Sequence, residues 1–153
     1  GVWAVDDAIG STWGYTAGMR VSNAATILAR LIDTVAKNGT YLLNLSPRAD
    51  GTIPAEQQDV LLEIGRWLDV NGEAIYDTHS WTTFGSGGGR GDAGLHVRYT
   101  VRGEALYAIL VAPPKSGEVT LEAITEGKVA QVHVLGAPGR LAFRQNVDDM
   151  AYV

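Results

Sequence analysis

The fold of this chain is decided by residues 41–54, YLLNLSPRADGTIP. The run Tyr41–Leu43 is apolar without alternation, which predicts a short strand covered on both faces. The polar turn at Asp50-Gly51 follows the strand, and Pro54 has the fixed φ that suits a first helical turn. Helical patterns lie on both sides of this strand, so the unit is α-β-α and predicts a parallel α/β sheet. In such sheets function collects beyond the carboxyl ends of the strands, here Asn44 to Asp50.

Two amphipathic helices are predicted beside this strand, over Ala24–Lys37 and Ala55–Val70. Asn38-Gly39 supplies the left-handed stop of the first helix. The apolar side chains recur at helical period and predict core contacts; they are Ile27, Leu28, Leu31, Ile32 and Val35 in the first helix and Val60, Leu61, Ile64, Trp67 and Leu68 in the second. A further short apolar strand is predicted at Val2–Val5, before the first helix.

The composition changes after Trp81. Residues 85–94, GSGGGRGDAG, predict a flexible linker, and their glycines lack the strand and helix that a phosphate-binding loop requires. From residue 95 onward alternation and glycine-bearing turns predict an antiparallel sheet or sandwich. Its predicted strands are Val97–Arg102, Ala105–Val111, Glu118–Leu121, Gln131–Leu135 and Leu141–Arg144. The predicted organisation is therefore an α/β part over residues 1–84, a linker over 85–94 and an antiparallel β part over 95–153.

Composition and charge exclude several classes of function. The formal net charge is −5 without a basic stripe, which argues against nucleic acid as a partner. The sequence has no cysteine, so disulfides, thiolate nucleophiles and cysteine-based metal centres are excluded, and the three histidines show no metal-ligand spacing. No apolar run is long enough to span a bilayer, and the N-terminal residues lack the basic region of a signal peptide. We expect a soluble protein without metal or cofactor that does not bind membranes.

Three blocks of sequence together resemble the C-terminal part of the retaining α-L-fucosidases, glycoside hydrolase family 29. They are TWGY at 12–15, NGTYLLNLSP at 38–47 continuing through DGTIP at 50–54, and GRWL at 65–68 continuing as VNGEAIY at 70–76 to Trp81. The resemblance extends over nearly the whole chain. It implies a fold in which two βα units of a partial (β/α) barrel, the last two of the family's eight, are followed by a small antiparallel β-sandwich.

The resemblance also implies a function, the cleavage of terminal α-L-fucosyl linkages in a fucosylated oligosaccharide or glycoconjugate. The family's aspartate nucleophile and most of its sugar-binding histidines lie on earlier barrel strands, so no residue here matches those positions by motif. After the strand tryptophan the family commonly carries a glutamate, whereas Trp3 is followed by Ala4. The alternative function is a non-catalytic module, binding carbohydrate or purely structural, that has lost the nucleophile.

Asp6 and Asp7 are the candidate catalytic residues, because they leave a predicted strand at its carboxyl end. Retaining glycosidases use two carboxyl groups about 5–5.5 Å apart, one as nucleophile and one as acid/base. Adjacent side chains of an extended segment point to opposite faces, so one of the two is expected to face a given pocket. Two carboxylates close together would raise the pKa of one, as an acid catalyst needs. A solvated acidic loop or a capping pair is the alternative interpretation.

The candidate substrate-binding residues are Trp3, Trp13, Tyr15 and Asn44. A loop with Trp and Tyr beside glycines is typical of a ligand surface, although the same aromatics could cap a core. The Asn44 amide, at the end of a strand, must find partners in loop backbone or in sugar hydroxyls, and we favour the backbone.

Three other acidic residues are weaker candidates. Asp50 and Glu56 are explained by turn and helix-dipole roles, and Glu73 by structural hydrogen bonding. Two parallel strands cannot close a barrel and would leave an apolar face and unpaired edges in water. We therefore predict a homo-oligomer that covers them and assembles the site across subunits.

Overall fold

The structure, a computed structural model, describes residues 3–87, 96–114, 117–121, 123–124 and 127–145. The elements in chain order are β1 (Ala4–Ala8), α1 (Ala24–Ala36), β2 (Thr40–Asn44), α2 (Ala55–Asn71), β3 (His79–Ser86), β4 (Val97–Arg102) and β5 (Ala105–Leu110). A 3₁₀ turn, Gly72–Ala74, follows α2 directly. No helix in these ranges is long and apolar enough to cross a membrane.

The strands β1 and β2 form the predicted parallel pair, with Ala4 opposite Thr40 and Ala8 opposite Asn44. The predicted strand Val2–Val5 is wrong in its bounds, since β1 continues through Asp6 and Asp7 to Ala8. Pairing with β2 over its full length explains the difference, because the ladder continues with Ile9 N–H donating to the Asn44 carbonyl at 2.9 Å.

The helix α1 begins and ends at residues that satisfy its terminal backbone groups. The Asn23 side chain accepts a hydrogen bond from Thr26 N–H at 2.8 Å. Asn38 adopts the left-handed conformation, with φ of 61°, and the Gly39 N–H donates to the Thr34 carbonyl at 2.9 Å. The predicted stop at Asn38-Gly39 is confirmed, and it turns the chain at once into β2.

The two-stranded sheet is covered on one face. Tyr41 and Leu43 pack toward the helices and the hydrophobic core, whereas Leu42 between them is 61% exposed. The prediction that this strand is covered on both faces is therefore wrong among the described residues. Because the pleat alternates side chains between its two faces, Tyr41 and Leu43 face α1 and the core, whereas Leu42 points to the uncovered face.

The second sheet is antiparallel, with the strand order β3-β4-β5. It begins at His79, so Gly85 and Ser86, assigned above to the linker, lie in β3 opposite Arg98 and Val97. The remaining linker residues from 88 to 94 lie outside the described residues. The helix α1 contacts both β2 and the strands β3 and β4, and it therefore packs between the two sheets.

The predicted strands at 118–121, 131–135 and 141–144 are not formed in the described residues. One backbone bond, from Leu141 N–H to the Val132 carbonyl at 2.8 Å, joins the last two segments. The Gln145 side chain adds two contacts, accepting from Val129 N–H at 2.9 Å and donating to the Gly127 carbonyl at 2.7 Å. Alternation did not predict burial here, because Val134 and Leu141 are half exposed, whereas Leu135 packs against the core.

Candidate functional site

The carboxyl ends of β1 and β2 carry the loop that the sequence marks as a ligand surface. Residues on either side of this loop pair as a short antiparallel ribbon, in which Ser22 N–H donates to the Ile9 carbonyl and Ser11 N–H donates to the Arg20 carbonyl, both at 2.8 Å. Residues 12–19 therefore project from the end of β1. We call this segment the aromatic loop.

The aromatic loop is tied to the end of β2 by side chains that hold its backbone. The Asn44 amide donates to the Trp13 carbonyl at 2.7 Å, and the Ser46 hydroxyl donates to the same oxygen at 3.1 Å. The prediction that Asn44 serves the loop backbone is confirmed. Although its carbonyl is held in this way, Trp13 as a residue is 56% exposed.

Tyr15 and Arg48 form a second contact between the two loops. The Arg48 guanidinium lies 5.5 Å from the centre of the Tyr15 ring, within the range of a cation–π contact. Tyr15 is 40% exposed. Neither Trp13 nor Tyr15 is buried as a cap on the core. In this structure both aromatic residues are exposed on the surface of the loop.

Asp7 is engaged in an ion pair on the helix-covered face. Its carboxylate accepts hydrogen bonds from Arg30 at 2.6 Å and from the Tyr41 hydroxyl at 2.7 Å. Partial burial acts to raise the pKa of Asp7, but these two hydrogen bonds, the charge of Arg30 and the Ala8 N–H outweigh it and lower the pKa below its usual value. Burial and the hydrogen bond to Asp7 raise the pKa of Tyr41.

Asp6 points to the opposite, open face of the sheet, beside Leu42. The prediction that the two carboxylates face different sides is confirmed by the burial pattern of β1, and their catalytic roles stay predictions. Asp7 is held ionised, which is opposite to what an acid catalyst needs. Among the described residues the Asp6 carboxylate shows no side-chain hydrogen bond or ion pair, and Asp6 is exposed. Of the two candidates, Asp6 is the one with a free carboxylate.

Trp3 lies at the amino end of the strands, away from the aromatic loop. Its indole N–H donates to the Lys37 carbonyl at 3.0 Å, and its ring covers Gly39 so closely that a Cβ at that position would clash with it. Substrate binding by Trp3 therefore stays a prediction, while its contacts in this structure are with the turn between α1 and β2. The ring acts as a support for that turn.

The weaker acidic candidates have the structural roles expected of them. Asp50 accepts from the N–H and the hydroxyl of Thr52, at 2.9 and 2.7 Å, which shapes the turn before α2. Glu56 lies in the first turn of α2. Glu73 accepts from the Tyr107 hydroxyl at 2.7 Å and so joins the 3₁₀ turn to β5.

Sequence reasoning missed two polar residues, Ser46 and Gln57, that are fully buried at this edge. The Gln57 amide accepts from Ser46 N–H at 2.9 Å and donates to the Ser46 carbonyl at 3.0 Å. It also missed Arg30, the partner of Asp7. Their spacing along the chain carries no signal for these contacts, because each joins different elements.

Comparison of its sequence and fold with known proteins shows which family this chain is similar to. Residues 1–73 match the family model described as alpha-L-fucosidase. The chain is 33% identical to the human tissue alpha-L-fucosidase over 145 residues, covering 93% of this chain, and 36% identical to the bovine tissue alpha-L-fucosidase over 138 residues, covering 88%. The Thermotoga maritima alpha-fucosidase solved in complex with fucose superposes with a TM-score of 0.79 and 28% identity, covering 95% of this chain.

The fold defines an α/β protein in which a parallel pair of strands and two helices precede an antiparallel sheet. More particularly, this chain is a relative of the α-L-fucosidases, which confirms the resemblance in its sequence. It spans 30% of the human relative, 28% of the bovine one and 33% of the T. maritima chain.

Proposed function

We propose that this chain acts as an α-L-fucosidase-like glycoside hydrolase on terminal α-L-fucosyl linkages of oligosaccharides or glycoconjugates. The observation that carries the proposal is the aromatic loop. In a fold related to the fucosidases, it holds Trp13 and Tyr15 exposed at the carboxyl ends of parallel strands, where α/β proteins bind their ligands. Exposed aromatic faces of this kind suit the apolar face of a sugar ring.

Asp6 is the carboxylate that we assign to the chemistry. It lies on the open face of β1, on the side away from the helices, whereas Asp7 is neutralised by Arg30. Retaining hydrolysis needs a second carboxyl group about 5–5.5 Å away. We propose that a second copy of the chain covers the open face and completes the site, since a symmetric interface repeats each residue and brings Asp6 of both copies to it.

Release of nitrophenol from a nitrophenyl α-L-fucoside tests the hydrolase. We expect turnover by the parent chain, a loss of about 100-fold or more in Asp6→Asn, and turnover per folded molecule close to the parent in Asp7→Asn. The two variants make the same chemical change at adjacent positions, so each controls for the other. No turnover by the parent chain overturns the hydrolase, and unchanged turnover in Asp6→Asn overturns the choice of residue.

Light scattering tests the assembly separately. We expect an oligomer at micromolar concentration that dissociates when Leu42 on the open face is replaced by Lys, because a buried unpaired charge is costly. A stable monomer of the parent chain would overturn the proposal that a second copy completes the site.

A non-catalytic carbohydrate-binding or structural module is the second candidate function. The observation that favours it is Asp7, one of two carboxylates at the end of β1, whose charge is already used in a structural ion pair. Saturable binding of L-fucose without any turnover would support a binding module, and absence of both would support a structural one.

A further inference from the structure

The Gln57 amide is fully buried in the first turn of α2, below the aromatic loop, and has no role in the chemistry above. It makes both of its hydrogen bonds to the backbone of one residue, with Ser46 N–H donating to Oε1 at 2.9 Å and Nε2 donating to the Ser46 carbonyl at 3.0 Å. A neighbouring strand would bind Ser46 in the same way. Gln57 therefore fixes both the position and the orientation of Ser46 relative to α2.

Ser46 transmits this position to Trp13. It is itself fully buried, and its hydroxyl donates to the Trp13 carbonyl at 3.1 Å, with the Thr12 carbonyl at 3.4 Å. The Asn44 amide donates to the same Trp13 oxygen at 2.7 Å, so both lone pairs of this carbonyl are used. A path of hydrogen bonds thus runs from the buried amide of Gln57 to the backbone of the exposed tryptophan.

Around Trp13 the loop is otherwise held by its flanking ribbon and by the contact between Tyr15 and Arg48. Its own hydrogen bonds are local, as between the Thr12 hydroxyl and the Gly14 carbonyl at 2.8 Å, and Gly18 adopts a positive φ of 77°. A loop of this kind keeps a fixed geometry only where a rigid element holds its backbone. In this site two elements hold it, β2 through Asn44 and α2 through Gln57 and Ser46.

We propose that Gln57 is a positioning residue, which sets the orientation of Trp13 through Ser46 and thereby the affinity of the site for an α-L-fucosyl group. The part that concerns the sugar rests on the proposed function. The part that concerns Trp13 does not, because it follows from hydrogen bonds within the chain. A site whose binding group is held in place before the ligand arrives loses less freedom on binding.

Fluorine NMR of the chain labelled with 5-fluorotryptophan tests the positioning. The chain has four tryptophans, and Trp13→Phe identifies the Trp13 resonance by its loss. In Gln57→Leu we expect that resonance to shift and broaden, while the Trp3 and Trp67 resonances and the helical circular dichroism stay as in the parent chain. A folded Gln57→Leu with an unchanged Trp13 resonance overturns the proposal.

The adjacent residue provides a matched control. Gln58 has the same side chain on the same turn, but it is exposed and donates only to the Ile53 carbonyl, at 2.7 Å. Gln58→Leu should leave the Trp13 resonance unchanged. An equal shift in both variants would attribute the effect to α2 as a whole and would also overturn the proposal.

A double-mutant cycle separates positioning from a general loosening of the fold. In Asn44→Ala combined with Ser46→Ala, the Trp13 carbonyl loses both donors, so the path is cut while the backbone contacts between Gln57 and Ser46 remain. On that background Gln57→Leu should move the Trp13 resonance no further. A full additional shift would show that Gln57 acts by another route. If Gln57→Leu does not fold, Ser46→Ala alone must still shift the Trp13 resonance. That variant keeps the hydrogen bonds between Gln57 and the backbone of residue 46.

Titration with L-fucose, followed on the Trp13 resonance, tests the consequence for binding. We expect saturable binding by the parent chain and an affinity about tenfold lower in Gln57→Leu, with Gln58→Leu unchanged. A shifted Trp13 with unchanged affinity for L-fucose overturns the part that concerns the sugar. If the parent chain binds no L-fucose, the proposed function fails, and the Trp13 shift in Gln57→Leu still decides the positioning.

Discussion

The strands β2 and β4 are both rich in apolar residues, yet their surroundings differ. In β4, Val97 and Tyr99 are at most 1% exposed on one face, and Thr100 is fully buried on the other, where its hydroxyl donates to the Ala74 carbonyl at 2.7 Å. In β2, Leu42 is 61% exposed beside partly buried neighbours. Both faces of β4 are thus buried within the chain, whereas one face of the parallel pair is exposed.

A single helix connects these two regions. On the side of α1 that faces the antiparallel sheet, Asp33 accepts from Arg98 of β4 at 2.7 Å and from Lys37 at 2.7 Å. Its apolar residues Ile27 and Ile32 are nearly fully buried. The open face of β1 and β2 is therefore supported from behind by a well-packed layer, which lets it keep its geometry while exposed.

The largest expected effect is in β4. Tyr99→Ala should lower the free energy of unfolding by about 3–5 kcal/mol, because it empties a fully buried site in the middle of the antiparallel sheet. The measurement is chemical denaturation. Tyr76→Ala, the same change at a side chain that is 56% exposed, is the control and should cost less than about 1 kcal/mol. Equal costs would mean that β4 is no better supported than the surface.

A pair of adjacent leucines in β2 tests the asymmetry of the parallel sheet. Leu43→Ala should cost about 2 kcal/mol, since Leu43 packs against the core. Leu42→Ala should change the stability of the single chain by about 0.5 kcal/mol or less. Denaturation at several protein concentrations separates the two faces further, because a cost of Leu42→Ala that appears only at high concentration identifies the open face as an interface between chains. Equal costs at all concentrations would contradict the asymmetry.

The smallest effect concerns the two carboxylates of β1. Asp7→Asn should lower stability by about 1 kcal/mol near neutral pH, a modest cost because Arg30 is nearly half exposed, while Asp6→Asn should be close to neutral. The pKa of Asp7 is lowered in the folded state, so the unfolded chain binds more protons as the pH falls. The stabilisation is thus complete above the ordinary carboxyl pKa and is lost as the pH falls through the folded value.

Stability curves from pH 7 down to about pH 2 check this sign. The difference between the parent chain and Asp7→Asn should shrink as the pH falls below about 4, the ordinary carboxyl pKa. If this difference in stability grows on acidification, the pKa of Asp7 is not lowered, and Asp7 is again a candidate acid catalyst.

Local patterns predicted what local chemistry controls. The left-handed stop at Asn38 and the opposite directions of Asp6 and Asp7 follow from residue type and from the period of the pleat. The parallel sheet followed from the α-β-α order, and the neighbouring strands from the family resemblance. The binding of Asn44 to loop backbone followed from the need of a polar amide for partners. The prediction of strands after residue 117 was wrong for the described residues. Alternation of residue types does not by itself bury the apolar side chains, and Val134 and Leu141 are half exposed.

By itself, then, the sequence determined the two helices, the strands β1, β2, β4 and β5, and the relation to the fucosidases. It missed β3, and it left open whether the aromatics of the loop are exposed. Only the tertiary structure decided that Arg30 neutralises Asp7, that Trp3 supports a turn away from the loop, and that Gln57 holds Ser46 under Trp13. The physical reason is the same in each case. These contacts join residues of different elements, and their partners are chosen by how helices and strands pack, which no local pattern of residues encodes.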